Sequence, residues 1–134
     1  MGDIDLAQLR REIRAARRAV SPTERTRISH ETAATVYNWL QTRPALRHIA
    51  TFLSLPEEID TAPLNRLLWR NGYHLYLPYV AGKGRPLTWY PYTESTPLIP
   101  DSACIPAPDP ATAPAIAALD LDVVITPLVA HDAH

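Results

Sequence analysis

The spacing of apolar residues predicts two amphipathic helices in the first third of the chain. From about residue 3 to residue 19, apolar side chains recur at steps of three and four, which places them on one stripe of a helix. A capping-box pattern, Ser21-Pro22-Thr23-Glu24, then predicts a second helix over Pro22–Gln41. The stripe of the first helix consists of Leu6, Leu9, Ile13, Ala16 and Val20.

Short apolar runs that end in proline or polar residues predict the strands of a parallel sheet. Residues 47 to 53 suit a strand that is buried on both faces and that opens into an acidic loop. After this loop Asp60 or Thr61 can cap a third helix, which Asn71-Gly72 ends. A second strand is expected over residues 73 to 77, and this order of elements predicts a right-handed parallel βαβ unit.

The second half of the chain predicts two further strands and a proline-rich connection. Over residues 87 to 92 the side chains alternate in character enough to predict a third strand, and Pro91 places this strand at a sheet edge. Eight of the 14 prolines lie between positions 86 and 114, so residues 97 to 114 are predicted to be irregular, followed by at most a short helix. The most apolar run, residues 121 to 128, predicts a buried parallel strand. Together the elements predict an α/β fold with a mainly parallel open sheet and helices on both faces.

Composition agrees with one globular domain. The chain has 134 residues, of which 46% are hydrophobic and 20% charged. A net charge of -1 argues against bulk attraction to nucleic acid. Neither a signal-peptide core nor a membrane span is visible in the sequence, so a cytoplasmic location is expected. The single cysteine, Cys104, excludes an internal disulfide and any multi-cysteine zinc site.

A group of arginines is the first candidate for chemistry. Seven of the 13 basic residues lie in the first 27 positions. On a helix Arg10, Arg14 and Arg17 cluster beside the apolar stripe, where they would border the body of the protein. Such a cluster is either a solvated basic face or an anion site, because guanidinium groups at a cleft suit phosphate.

Aromatic residues of the second and third strands are the next candidates. Tyr79, Trp89, Tyr90 and Tyr92 could form a flat wall for a ring system, but core packing and strand propensity explain the same residues without a ligand. At the carboxyl terminus His131, Asp132 and His134 have only weak metal-ligand spacing, and no metal site is predicted there.

Three strand ends are expected to meet at one edge of the sheet. The strands at residues 47 to 53, 73 to 77 and 121 to 128 all end in proline and polar residues. Ligands of open α/β sheets bind outside the carboxyl ends of the strands, so this edge is the expected position of a site.

An ordered set of short motifs resembles the 5-formyltetrahydrofolate cyclo-ligase family, also called methenyltetrahydrofolate synthetase. No single motif is specific, but all occur in the right order over essentially the whole chain. The matching stretches are Leu9-Arg10, Arg17-Arg18, Ser21-Pro22-Thr23-Glu24-Arg25, Phe52-Leu53-Ser54, Glu57-Glu58-Ile59-Asp60-Thr61, Asn71-Gly72, Tyr76-Leu77-Pro78, the run from residue 121 to residue 130, and Asp132.

The resemblance implies a cyclo-ligase/NagB-like α/β fold and an ATP- and Mg²⁺-dependent ring closure on 5-formyltetrahydrofolate. ATP phosphorylates the formyl oxygen, the second folate nitrogen attacks the activated carbon, and phosphate leaves to give 5,10-methenyltetrahydrofolate. The protein then has to align two substrates and neutralise charge on the moving phosphoryl group.

The resemblance also implies which residues bind each substrate. The family's ATP motif falls on Leu9 and Arg10. Arg14 is added to the ATP residues because it belongs to the same arginine cluster. The family's folate contacts fall on Leu53 and Glu58. A carboxylate suits the N–H donors of a pterin. Tyr79 and Trp89 are the candidate aromatic partners of the pterin face.

Two departures from the family pattern shape the remaining expectations. Leu6 stands where the family motif has a lysine, and the sequence ends where the family continues with a Gly-rich loop. One α/β domain over residues 1 to 134 is therefore expected to be incomplete at its carboxyl end, and the chain to be a monomer or to self-associate through the open sheet edge. The candidate functions are the cyclo-ligase reaction, folate binding without catalysis, and binding of some other phosphorylated small molecule.

Overall fold

Three α-helices precede or separate the first two strands of the protein. The computed structural model describes residues 5–54 and 58–126, and its helices are α1 (Leu6–Arg18), α2 (Pro22–Gln41) and α3 (Ala62–Arg70). Helix α2 has the predicted bounds, because the Ser21 hydroxyl accepts the Glu24 N–H at 3.1 Å and proline stands at the first helical position. No helix in the described part of the chain is long and apolar enough to cross a membrane.

Four strands form a mostly parallel sheet, and two more form a hairpin. The strands are β1 (His48–Ala50), β2 (His74–Tyr79), β3 (Thr88–Tyr92), β4 (Leu98–Pro100), β5 (Pro106–Pro108) and β6 (Val123–Val124), and a 3-10 helix spans Ala118–Asp120. The sheet has the order β3-β2-β1-β6, in which β1 pairs parallel with both β2 and β6 while β3 pairs antiparallel with β2. The predicted α/β class, the parallel βαβ unit and the edge position of the third strand are confirmed.

Helices α2 and α3 cover the same face of this sheet. Register places Ile49 beside Leu75, and both belong to one core cluster with Leu40 of α2 and Leu68 of α3. Leu40, Ile49 and Leu68 are fully buried, so the main hydrophobic core of the described residues lies between these two helices and the sheet. The predicted helix cover of the opposite face stays a prediction.

The prediction of an irregular connection over residues 97 to 114 is wrong in part, because β4 and β5 form an antiparallel hairpin there. Ile99 pairs with Ala107 at its centre, and prolines occupy three of the other four positions. Proline cannot donate a ladder hydrogen bond, so the hairpin depends on other contacts. The Asp101 carboxylate supplies them by accepting the N–H groups of Ala103 and Ile105 at 2.9 and 3.1 Å.

Two apolar features are more exposed than the sequence predicts. Helix α1 has no buried residue among those described, and Leu6 at its amino end is 61% exposed. Strand β6 lies at the edge of the described sheet with Val124 47% exposed, although a strand buried on both faces was expected. The predicted strand over residues 121 to 128 was also too long, because the described residues 121, 122, 125 and 126 lie outside β6. Residues 127 and 128, the terminal histidines with Asp132, and residues 55 to 57 of the acidic loop lie outside the described residues.

Candidate functional site

The connection from β1 to α3 is closed at its base by hydrogen bonds between its two ends. The Thr61 hydroxyl donates to the Phe52 carbonyl at 2.9 Å, and the Thr61 N–H donates to the Ser54 hydroxyl at 3.4 Å. The Asp60 carboxylate accepts the Ala62 N–H at 2.9 Å and so caps α3, whereas the Thr61 side chain makes no capping bond. The loop that carries Glu58 therefore starts and ends on fixed backbone.

Two neighbouring cavities lie on either side of this loop. The first, of about 380 Å³, runs from Leu53 along α3 to Trp69 and Tyr92. The second, of about 330 Å³, lies between Glu58 and the first half of α2. Ser54 and Asp60 line both cavities, so they form the wall between them. Leu53 and Glu58, the implied folate contacts, thus lie at adjoining cavities of one loop.

The residues implied for ATP lie elsewhere on α1. Leu9 is 39% exposed, and Arg10 and Arg14 are exposed. A third cavity of about 250 Å³ includes Arg17 and Arg25 in its lining but neither Arg10 nor Arg14. Leu53 and Glu58 therefore each line one of these three cavities, whereas Arg10 and Arg14 line none of the three.

The predicted aromatic wall is divided between the two faces of the sheet. Tyr79 lies on the face of Leu75 and packs edge-on against Tyr90, with ring centroids 6.0 Å apart. Trp89 pairs with Pro78 and so lies on the opposite face. The structure does not bring Tyr79 and Trp89 together, and neither belongs to the lining of the first two cavities.

The carboxyl end of β2 is held by a buried carboxylate. Asp101, which is 7% exposed, accepts the Val80 N–H at 3.0 Å in addition to the two N–H groups of its own turn. Burial acts to raise the pKa of Asp101, but the N–H donors of Val80, Ile105 and Ala103 outweigh it and bring the pKa below its ordinary value. A charged Asp101 therefore joins the hairpin to the sheet edge where the site lies.

A cluster of polar and aromatic side chains that was not predicted from the sequence lies at the amino ends of the parallel strands. His48 stacks on His74 with ring centroids 5.0 Å apart, and its Nδ1 is 2.7 Å from the Tyr76 hydroxyl. The Asp122 carboxylate accepts the N–H groups of His48 and Arg47, and these bonds lower the pKa of Asp122. Burial, and then the Asp122 charge, raise the pKa of Tyr76. Strand register alone brings these residues together, so no sequence motif could have identified them.

Comparison with known proteins agrees with the motif order in the sequence. The model of the 5-formyltetrahydrofolate cyclo-ligase family matches residues 5–134. The 5-formyltetrahydrofolate cyclo-ligases of Escherichia coli K12 and O157:H7 are each 33% identical over 126 residues, which cover 91% of this chain and 67% of theirs. The solution structure of Aquifex aeolicus 5,10-methenyltetrahydrofolate synthetase superposes with a TM-score of 0.73 at 23% identity. That match covers 92% of this chain and 61% of the Aquifex chain.

Proposed function

Because the chain belongs to the 5-formyltetrahydrofolate cyclo-ligase family, we propose that it takes part in the ATP-dependent conversion of 5-formyltetrahydrofolate to 5,10-methenyltetrahydrofolate. The formyl oxygen takes the γ-phosphoryl group of ATP, ADP leaves, the second folate nitrogen attacks the formyl carbon, and phosphate departs as the ring closes. The observation that carries the proposal is the loop after β1, which places Leu53 and Glu58 at adjoining cavities.

The folate part of the site is proposed to lie at this loop. Leu53 offers apolar contact to the pteridine ring, and the Glu58 carboxylate accepts hydrogen bonds from its N–H groups. Asp60 adds a second carboxylate on the wall between the cavities. Tyr79 lies on the sheet face that α3 covers and stays a candidate for stacking, whereas Trp89 would need a ligand on the other face.

The nucleotide is proposed to bind along α1. The exposed guanidinium groups of Arg10 and Arg14 are one helical turn apart, so they can contact neighbouring phosphates. Their positive charge would offset the charge that builds up on the transferred phosphoryl group. Leu9 lies beside them on the apolar stripe and would contact the nucleoside.

The residues that the structure describes do not form a site for the implied Mg²⁺. No group of three or more histidine, cysteine, aspartate or glutamate side chains among them could hold a metal ion. No step of the proposed reaction is therefore assigned to a metal on these residues.

A turnover assay tests the proposed reaction. The 134-residue chain is mixed with 5-formyltetrahydrofolate, ATP and Mg²⁺, and the absorbance of 5,10-methenyltetrahydrofolate is followed against a mixture without ATP. We expect 5,10-methenyltetrahydrofolate to form in the complete mixture and not in the mixture without ATP. Absence of product at high protein concentration would exclude catalysis by this chain.

Folate binding without catalysis is the second candidate. It is favoured by the distribution of the candidate residues, since Leu53 and Glu58 line the first and second cavities while Arg10 and Arg14 line none of the three cavities described above. In this case calorimetry would detect binding of 5-formyltetrahydrofolate but not of ATP.

The single-domain organisation, the oligomeric state and the cytoplasmic location stay predictions.

A further inference from the structure

Ser29 lies at the junction between α2 and the loop that carries Glu58 and Asp60. It is 2% exposed, and its hydroxyl makes two hydrogen bonds. It donates to the Arg25 carbonyl at 2.8 Å, which is an ordinary bond within a helix. It also accepts the Asp60 N–H at 2.9 Å, and this bond joins elements 31 residues apart in the sequence.

We infer that Ser29 is a positioning residue, which fixes the loop after β1 against α2 and thereby sets the place of the Glu58 carboxylate. The inference rests on the proposed function, because it concerns affinity for folate. Bonds to Phe52, Ser54 and Ala62 already fix the base of the loop relative to β1 and α3. The bond from the Asp60 N–H to Ser29 joins the loop to α2 directly.

The second cavity shows why this position matters. Pro22, Arg25, Thr26 and Ser29 of α2 line it together with Ser54, Glu58 and Asp60 of the loop. The Ser29–Asp60 bond joins these two sets of lining residues. Loss of this bond would let the loop move away from α2, so Glu58 would meet a ligand less often in the productive geometry.

The same hydrogen-bonded path continues to α1. The Arg25 guanidinium donates to the Arg17 carbonyl at the end of α1, and the Arg25 carbonyl accepts the Ser29 hydroxyl. Arg25 also belongs to the lining of both the second and the third cavity. The loop at the proposed folate site and the helix with the proposed nucleotide residues are thus joined through Ser29.

Exchange of Ser29 for alanine tests the inference in the full 134-residue chain. The Kd of 5-formyltetrahydrofolate, measured by calorimetry, should rise about 10-fold, because the Asp60 N–H loses its acceptor and the loop its contact with α2. The matched control is Thr35→Ala, which removes a hydroxyl bonded to the Glu31 carbonyl on the exposed side of the same helix. The control should change Kd by less than about twofold.

A double-mutant cycle separates positioning from general loss of stability. In a Glu58→Gln background, Ser29→Ala should raise Kd by less than about twofold, because the carboxylate that Ser29 positions is already absent. Amide hydrogen exchange at Asp60 should be faster in Ser29→Ala than in Thr35→Ala.

The outcomes distinguish this inference from the proposed function. If the unmodified chain binds folate and Ser29→Ala behaves as Thr35→Ala does, only the positioning role is overturned. A full 10-fold loss in the Glu58→Gln background would overturn it as well, since Ser29 would then act on the fold and not on Glu58. If the unmodified chain binds no folate, the proposed function fails, and the positioning role fails with it.

Discussion

At the scale of single residues, two carboxylates hold distant segments together by accepting hydrogen bonds from backbone N–H groups. Asp101 reaches the N–H of Val80, 21 positions away, and Asp122 reaches the N–H groups of Arg47 and His48, 75 and 74 positions away. In each case hydrogen bonds from backbone donors favour the charged form. Both carboxylates therefore connect strand ends that the chain alone does not bring together.

Replacement of Asp101 by asparagine should make the protein less stable near neutral pH, by roughly 1 to 3 kcal/mol, because the hydrogen bonds lose their charged acceptor. The folded-state pKa of Asp101 lies below its ordinary value, so its stabilising effect is present above the unfolded-state pKa and is lost as the pH falls through the folded-state pKa. The difference between the variant and the unmodified protein should therefore shrink below about pH 4. Urea unfolding at a series of pH values measures both effects.

A difference that stays constant from neutral pH to strongly acidic pH would contradict this account of Asp101. Asp109 is a suitable control, because it is only partly buried and its carboxylate accepts the N–H of nearby Ala111. Asp109→Asn should change the free energy of unfolding by less than about 0.5 kcal/mol.

The family resemblance singled out candidate site residues but not their arrangement. Leu53 and Glu58 could be singled out because their motifs occur in order on either side of one loop. Their division between two cavities depends on the direction of each side chain around that loop, which residue spacing does not determine. Ser29 and Asp101 act through bonds to distant backbone groups, and no local pattern marks such a role. Asp60, which caps α3 by a local bond, was a predicted cap.

At the scale of elements, the predictions that succeeded rest on local chemistry. Helix α2 was predicted from its capping box. Helix α3 ends at Arg70, with Asn71 as its C-cap, because Gly72 adopts a positive φ of 79°. The hairpin of β4 and β5 was missed because its prolines argue against strands. Its turn is closed by local hydrogen bonds from the Ala103 and Ile105 N–H groups to the Asp101 carboxylate, which strand propensity does not indicate.

Helix α3 should depend strongly on the contact of Leu68 with the core. Leu68 is fully buried in the cluster that joins α2, α3 and the sheet, whereas Leu119 is 98% exposed. Leu68→Ala should lower the free energy of unfolding by about 2 to 5 kcal/mol, and Leu119→Ala by less than about 0.5 kcal/mol. Equal losses in chemical denaturation would contradict the packing of α3 described above.

The end of α3 should also depend on the glycine that follows it. In Gly72→Ala an alanine would have to adopt the left-handed conformation, and its Cβ would lie 3.1 Å from a guanidinium nitrogen of Arg47. A loss of about 1 to 2 kcal/mol is expected in thermal or urea unfolding. Gly82→Ala is the control, because its Cβ would meet Arg85 only at ordinary contact distances, the nearest being 3.6 Å. A similar loss in both variants would argue against strain at Gly72.

At the scale of the whole molecule, the order of strands places three strand ends at one edge of the sheet, although no residue of β2 or β6 lines the first two cavities. β1, β2 and β6 are parallel, so their carboxyl ends lie at one edge, as the sequence predicted. Burial of β6 could not be predicted from its apolar character alone, because burial depends on which elements pack beside it. In the described sheet β6 has only β1 as a neighbour.

Binding of 5-formyltetrahydrofolate by the 134-residue chain is the most direct test of the central claim, that the loop after β1 forms a folate site. In calorimetric titration we predict saturable one-site binding, weakened by about 1 to 3 kcal/mol in Glu58→Gln through loss of a charged acceptor for the pterin. Glu12→Gln, the same exchange at an exposed position of α1, should leave the affinity unchanged. A chain that shows no saturable binding, or a Glu58→Gln variant that binds as tightly as the unmodified chain, would contradict the claim.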